Sequence, residues 1–174
     1  MRGVTPDSTA AEHKAEAPRA VRCYVLTVSD TRTAQNDTSG LAIRDLLVTA
    51  GHQVAGWKIV PDDADGLRKT IKEQLADEGV QVVITTGGTG ISSRDSTCEA
   101  VDPLFEKRLD GFGELFRAIS FQEIGAAAMM TRATAGTVGR KAIFALPGSE
   151  KAVRLAMTKL LIPELGHVVQ QLSK

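Results

Sequence analysis

The chain has 174 residues, enough for one domain to bury a self-sufficient core, and nothing in it marks a second domain. Its 21 basic and 21 acidic residues cancel, so no global field points to nucleic acid or an anionic membrane surface as partner. Cys23 and Cys98 are too few for a disulfide framework and lack zinc-site spacing, and no apolar run approaches the roughly 20 residues of a membrane span or forms a signal-peptide core, so a cytoplasmic protein is expected.

Residues 1–20 carry Pro6, Pro18 and scattered charges without a helix or strand period, and read as a flexible arm ahead of a single domain over 21–174. Val21–Ser29 is an apolar run of strand length followed by the turn-rich Asp30–Asp37. Asp37 or Thr38 can cap a helix reaching about Ala50, with Leu41, Ile43, Leu46 and Leu47 as its inner face and Gly51 as the stop. Val54–Val60 reads as a second strand, ended by Pro61. Asp62 or Asp63 then caps a helix over Ala64–Glu78, in which Leu67, Ile71 and Leu75 recur every four residues. Val80–Thr86 is the third strand, whose β-branched run Val82, Val83 and Ile84 suits a strand covered on both faces.

Three strands separated by two helices make successive βαβ units, which build an open parallel sheet by right-handed crossovers. The fold class expected is therefore α/β, a three-layer α/β/α arrangement with a mostly parallel central sheet and a C-terminal β-hairpin. Ligands of such sheets sit at the carboxyl ends of the strands, so Ser29–Asp37, Pro61–Asp63 and Gly87–Asp95 should share one rim. Further along, helices are expected at Ser96–Leu104, at Phe112–Phe121 with Phe116, Ile119 and Leu115 inward, and briefly at Ala126–Thr131. Thr134–Val138 and Lys141–Leu146, joined at Gly139-Arg140, form the hairpin. After Pro147-Gly148, Ser149 caps a helix through Leu161, and Pro163 starts a last one to about Leu172.

The third strand runs straight into Thr86-Gly-Gly-Thr-Gly90, where Gly87, Gly88 and Gly90 leave backbone N–H groups bare beside the hydroxyls of Thr85, Thr86 and Thr89. A nest of such donors suits an anion such as phosphate, and the same glycines would also serve a purely structural turn. The stretch is not a P-loop, because the closing Lys-Ser/Thr is missing. It is a poor dinucleotide fingerprint as well, with Ser93 where the third glycine belongs.

Thr85-Thr-Gly-Gly-Thr-Gly-Ile-Ser-Ser-Arg-Asp-Ser-Thr-Cys-Glu-Ala100 closely resembles the signature of the molybdopterin-binding proteins of molybdenum cofactor biosynthesis. Leu26-Thr-Val-Ser-Asp30 with Asn36-Asp-Thr-Ser-Gly40, Val60-Pro-Asp62 and Phe144-Ala-Leu-Pro-Gly-Ser149 resemble three further stretches of that family, and Ser120-Phe-Gln-Glu-Ile-Gly125 leans toward its MoaB branch. The resemblance spans about Val21–Leu172 and departs from the common pattern in having Cys98 where a proline usually stands. It implies a protein that binds molybdopterin and, with Mg2+ and ATP, adenylylates the terminal phosphate of the pterin with release of pyrophosphate. The alternative it allows is a non-catalytic carrier or docking protein of the same pathway. It also implies a homo-oligomer, trimer or hexamer, with the molybdenum-insertion protein as a further partner.

On that resemblance Asp62 and Asp95 are the catalytic carboxylates and Mg2+ ligands, since magnesium takes one or two carboxylates beside phosphate oxygens. Each has a structural alternative, a helix start for Asp62 and an N-cap for Asp95. The candidate substrate contacts are Ser29, Asp37, Ser39, Thr86, Gly87, Gly88, Thr89, Gly90, Arg94, Pro147, Gly148 and Ser149. Arg94 can pair with a phosphate or with a surface carboxylate, the serines and Asp37 can equally be caps or turn residues, and Pro147-Gly148 gives backbone room for a flat ring or merely a sharp strand exit. Cys23 reads as core, and the histidines His13, His52 and His167 show no ligand spacing.

Overall fold

A computed structural model describes residues 17–174. Most of the expected arm, residues 1–16, lies outside the described residues. Ala17–Arg19 lie beside the last helix, where the Pro18 carbonyl oxygen is 2.7 Å from the position a β-carbon on Gly166 would take.

Among the described residues the sheet has six strands: β1 (Arg22–Val28), β2 (Gln53–Val60), β3 (Val82–Thr86), β4 (Lys107–Arg108), β5 (Thr134–Val138) and β6 (Lys141–Leu146), in the order β2-β1-β3-β6-β5-β4. β2, β1, β3 and β6 run parallel, and β5 and β4 add antiparallel at one edge. The hairpin β5–β6 thus closes the parallel sheet, with β6 pairing β3 from Val82↔Ala142 to Thr86↔Leu146. That register brings the end of β6, and the Pro147-Gly148 turn after it, level with the glycine turn after β3.

The helices are α1 (Thr38–Thr49), α2 (Ala64–Ala76), α3 (Thr97–Val101), α4 (Asp110–Ile124), α5 (Glu150–Ala156) and α6 (Ile162–Ser173). One sheet face packs Val25, Val82 and Ile84 against Ile43 and Leu47 of α1, Phe116 of α4 and Val153 of α5, with Leu165 of α6 completing that layer. The other packs Leu26, Val83 and Ile143 against Leu67 and Ile71 of α2 and Ala100 and Val101 of α3. These are the three layers expected from the βαβ pattern, with an apolar core on each side of the sheet.

Several details depart from the sequence reading. Leu41 and Leu115, expected to face inward, are 48% and 56% exposed, because Ala42–Ile43 and Phe112–Phe116 carry the buried stripes of their helices. The two-residue strand β4 is too short for any period to reveal it. Pro163 does not start a separate helix: α5 runs through a π turn at Met157–Leu161 directly into α6, with the proline in the first turn of α6. Trp57, on the edge strand β2, is partly exposed beneath the guanidinium of Arg44, 4.1 Å from the ring centre. Among the described residues no helix is long and apolar enough to cross a membrane.

The two leucines of α1 separate the faces experimentally. Leu47→Ala should cost about 2–5 kcal/mol in urea denaturation, whereas Leu41→Ala should stay within about 0.5 kcal/mol. Equal losses would contradict this placement of the helix.

Candidate functional site

The carboxyl ends of β1, β3 and β6 meet around a cavity of about 220 Å³. Thr27, Val28, Ser29 and Arg32 line it from the end of β1 and its loop, and Asp37 and Ser39 from the start of α1. Thr86, Gly87 and Gly88 line it from β3, and Gly148 from the turn after β6. A larger apolar cavity of about 450 Å³ lies elsewhere, against α4 and α6, among Leu109, Phe112, Phe144 and Leu165. That cavity is lined mostly by apolar side chains, whereas hydroxyls and glycine backbone dominate the smaller one, which is the more polar of the two.

Glycine is required at the mouth of the small cavity. Gly87 and Gly88 have φ of +99° and +67°, in the left-handed region, and a β-carbon on Gly87 would lie 2.3 Å from the Val28 carbonyl oxygen. Thr97, at the first turn of α3, holds the other side of this turn. Its hydroxyl donates to the Gly87 carbonyl at 2.7 Å and its N–H to the Gly88 carbonyl at 3.0 Å. With those carbonyls satisfied, the N–H groups of Gly88, Thr89 and Gly90 find no acceptor among the described residues. Three amides left without acceptors on one glycine turn have the chemistry of a nest of backbone donors, which suits an anion. Arg132 secures the next residues, its N–H donating to the Thr89 carbonyl at 2.9 Å and its Nε to the Gly90 carbonyl at 2.8 Å.

The hydroxyls in the cavity hold the backbone. Ser39 Oγ donates to the Gly148 carbonyl at 2.6 Å and Thr86 Oγ1 to the Pro147 carbonyl at 2.8 Å, fastening the turn after β6 to the ends of α1 and β3. Asp37 is buried and is the N-cap of α1, accepting from the Gly40 N–H at 2.9 Å and from the Thr27 hydroxyl at 2.7 Å. Ser29 Oγ accepts from the N–H groups of Thr31 and Arg32, and Ser149 Oγ caps α5 by accepting from Ala152. These residues take the cap and turn roles that stood open in the sequence.

The carboxylates on the rim are also engaged. Asp63 caps α2 through Gly66, while Asp62 Oδ1 accepts from the N–H and the hydroxyl of Ser96 at 3.0 and 2.6 Å, reaching across to the start of α3. Asp62 Oδ2 lies 3.0 Å from the position of a β-carbon on Gly88. Asp95 does not cap α3. Its Oδ2 accepts from the Ser92 N–H at 2.8 Å and lies 2.8 Å from a β-carbon position on Gly90. Both carboxylates are thereby drawn against the same glycine turn. Arg94 donates to Asp30 at 2.5 Å, and this guanidinium, with the Asp62 N–H, holds the Asp30 carboxyl below its ordinary range.

Among the described residues no group of three or more His, Cys, Asp or Glu side chains is assembled to hold a metal ion. Asp62 and Asp95, each with one oxygen already committed, fit an ion that arrives with phosphate oxygens better than a protein-only cage. Cys23 and Cys98 are both buried, and burial pushes their thiols up to about 12 and about 11, so neither supplies a thiolate at neutral pH. Two arginines escaped the sequence reading. Arg32 had only its place in a post-strand loop to mark it, and Arg132 carried no local signal for its part in holding the glycine turn.

A family model described as "Probable molybdopterin binding domain" matches residues 24–167. The Molybdenum cofactor biosynthesis protein B of Bacillus subtilis is 52% identical over 164 residues, covering 94% of this chain and 96% of that protein. A crystal structure of Molybdenum cofactor biosynthesis protein B is similar with a TM-score of 0.88 at 51% identity, over 91% of this chain and 99% of that one. The tungsten cofactor synthesizing protein MoaB from Pyrococcus furiosus gives 0.82 at 40% identity, over 91% of this chain and 100% of that one.

Thr97→Val keeps the shape of the side chain but leaves the Gly87 carbonyl without its hydroxyl donor, which should cost about 1–3 kcal/mol in urea denaturation. A change no larger than that of an ordinary surface substitution, about 0.5 kcal/mol, would contradict the role given to Thr97. A second expectation concerns the Arg132 clamp. The hydrogen bond from Arg132 holds the Glu99 carboxyl below the ordinary glutamate value of 4.5. The folded state therefore binds fewer protons than the unfolded chain in that window, and the pair contributes stability above 4.5 that is lost as the pH falls through the lower folded value. The stability difference between wild type and Glu99→Gln should be constant at neutral pH and shrink on acidification. A difference that grows in acid would have the wrong sign.

Proposed function

Because this chain belongs to the molybdopterin-binding MoaB/Mog family, on its MoaB branch, we propose that it serves molybdenum cofactor biosynthesis by binding molybdopterin at the ends of β1, β3 and β6. The observation that carries this reading is the set of unpaired amides of Gly88, Thr89 and Gly90 beside the small polar cavity. Backbone N–H groups at a glycine turn take the phosphate of the pterin without the cost of reorganising side chains. The Pro147-Gly148 turn, pinned by Ser39 and Thr86, forms the opposite wall and leaves a flat ring system access. As a carrier or docking protein the molecule needs no more than this: it binds the pterin, orients it and hands it on within the cytoplasm. The exposed apolar side chains of Phe121, Ile124 and Met129 support assembly into a homo-oligomer, trimer or hexamer.

A second reading is favoured by Asp62 and Asp95, which lie against the glycine turn from opposite ends. In it the pterin phosphate oxygen attacks the α-phosphorus of ATP, a new P–O–P link forms, and pyrophosphate leaves. Magnesium, when bound with the nucleotide, would neutralise the phosphate oxygens. The two aspartates would hold it, and the glycine amides would orient the attacking phosphate.

Anaerobic titration of purified protein with molybdopterin, with and without ATP, separates the two readings. The carrier reading expects stoichiometric pterin binding of equal affinity in both cases and no pyrophosphate. Pyrophosphate release that Asp95→Ala removes while pterin binding persists would establish the second reading instead. Gly88→Val, whose β-carbon would fall 2.4 Å from Thr97 Oγ1, should abolish binding in either case. Failure of the wild-type protein to bind the pterin would overturn both.

A further inference from the structure

Most of the side chains that would ordinarily meet a phosphate in the cavity are committed to the protein. Ser39 and Thr86 spend their hydroxyl protons on the Gly148 and Pro147 carbonyls. Arg94 is held by Asp30. Of the described residues lining the cavity, Arg32 alone is cationic. Its loop is built to hold it: the Arg32 N–H donates to Ser29 Oγ at 3.1 Å, and Asn36 Oδ1 accepts the Thr33 N–H at 2.8 Å, closing the turn. Nη1 of Arg32 donates to the Asn36 carbonyl at 2.7 Å, while Nε and Nη2 find no acceptor among the described residues. Nε and Nη2 form one edge of the guanidinium, the fork that matches two oxygens of a phosphate. Asp37 lines the same cavity but does not compete for this edge, since both its oxygens accept from Gly40 and Thr27.

We propose that Arg32 pairs through its Nε–Nη2 edge with the phosphate of the bound pterin, and that this pairing makes the cavity select a phosphomonoester over the corresponding alcohol. The inference rests on the pterin-binding reading above. The glycine amides recognise an anion of any origin, and Arg32 adds a directional, two-oxygen contact that an uncharged hydroxymethyl group cannot return. Loss of Arg32 should therefore weaken only the phosphorylated ligand.

The test is calorimetric titration of wild type, Arg32→Ala, Arg32→Lys and Asn36→Ala with molybdopterin and with its dephosphorylated form. Arg140→Ala, at the exposed hairpin turn, serves as the control for net charge, and circular dichroism confirms each fold. Arg32→Ala should raise the Kd for molybdopterin by about tenfold to a hundredfold and change that for the dephosphorylated form by no more than about twofold. Arg32→Lys should recover part of the loss, because it restores the charge without the fork. Asn36→Ala, which loosens the turn but keeps the guanidinium, should lose less than Arg32→Ala. Equal losses for the two pterins, no loss at all, or an Asn36→Ala effect matching that of Arg32→Ala would each overturn the role of Arg32 while leaving the pterin site intact. A wild-type protein that binds neither pterin would overturn the site itself, and Arg32 with it.

Discussion

A β-carbon on residue 87 would lie 2.3 Å from the carbonyl oxygen of Val28, inside any contact distance, so the ends of β1 and β3 can approach this closely only around glycine. The rest of the site follows from that approach. Gly148 comes within contact of the same residue, its β-carbon position 3.3 Å from Gly87 Cα, and the turn after β6 is drawn in. Thr97 then takes the Gly87 and Gly88 carbonyls toward α3, and the amides of Gly88, Thr89 and Gly90 are left without acceptors among the described residues. The cavity is thus a by-product of backbone packing, with side chains fastening its walls.

The rim carries more aspartates than an anion site would be expected to tolerate. Asp30, Asp37, Asp62, Asp63 and Asp95 all fall on loops at the carboxyl ends of the strands. Their negative charge is answered locally: Asp37, Asp63 and Asp95 accept backbone N–H groups, Asp62 accepts from Ser96, and Asp30 is paired with Arg94. What remains is a set of amide dipoles on the glycine turn and, on the cavity lining, an edge of Arg32 without an acceptor among the described residues. The balanced composition of the whole chain conceals this arrangement, because the charges that matter are disposed within a single rim.

The parallel core of the fold was legible because its signals are local and repeated: apolar strand runs, helix caps at Asp37, Asp63 and Ser149, and the glycine turn after β3. The wrong faces of Leu41 and Leu115 arose because each leucine lies next to the buried stripe of its helix, Ala42 and Ile43 in α1 and Phe112 and Phe116 in α4, and apolarity alone does not separate neighbours. The π turn at Met157–Leu161 was invisible because proline ordinarily marks a helix start, and here the preceding backbone widens to admit it. The site was legible as a set of loops but not as a set of partners. Nothing near Arg94 in sequence announces Asp30, 64 positions away, and nothing near Arg132 announces Gly90, 42 positions away. Arg32 has no signal of its own beyond a place in the loop after β1.

The central claim is that the free amides of the glycine turn form the binding surface, and amide-resolved nuclear magnetic resonance tests it most directly. On titration of the isotopically labelled protein with molybdopterin, the largest shifts should fall on Gly88, Thr89, Gly90 and Gly148. Leu109, Phe112 and Leu165, around the apolar cavity, should stay still. The largest shifts at the apolar cavity, with the glycine turn unmoved, would contradict the account.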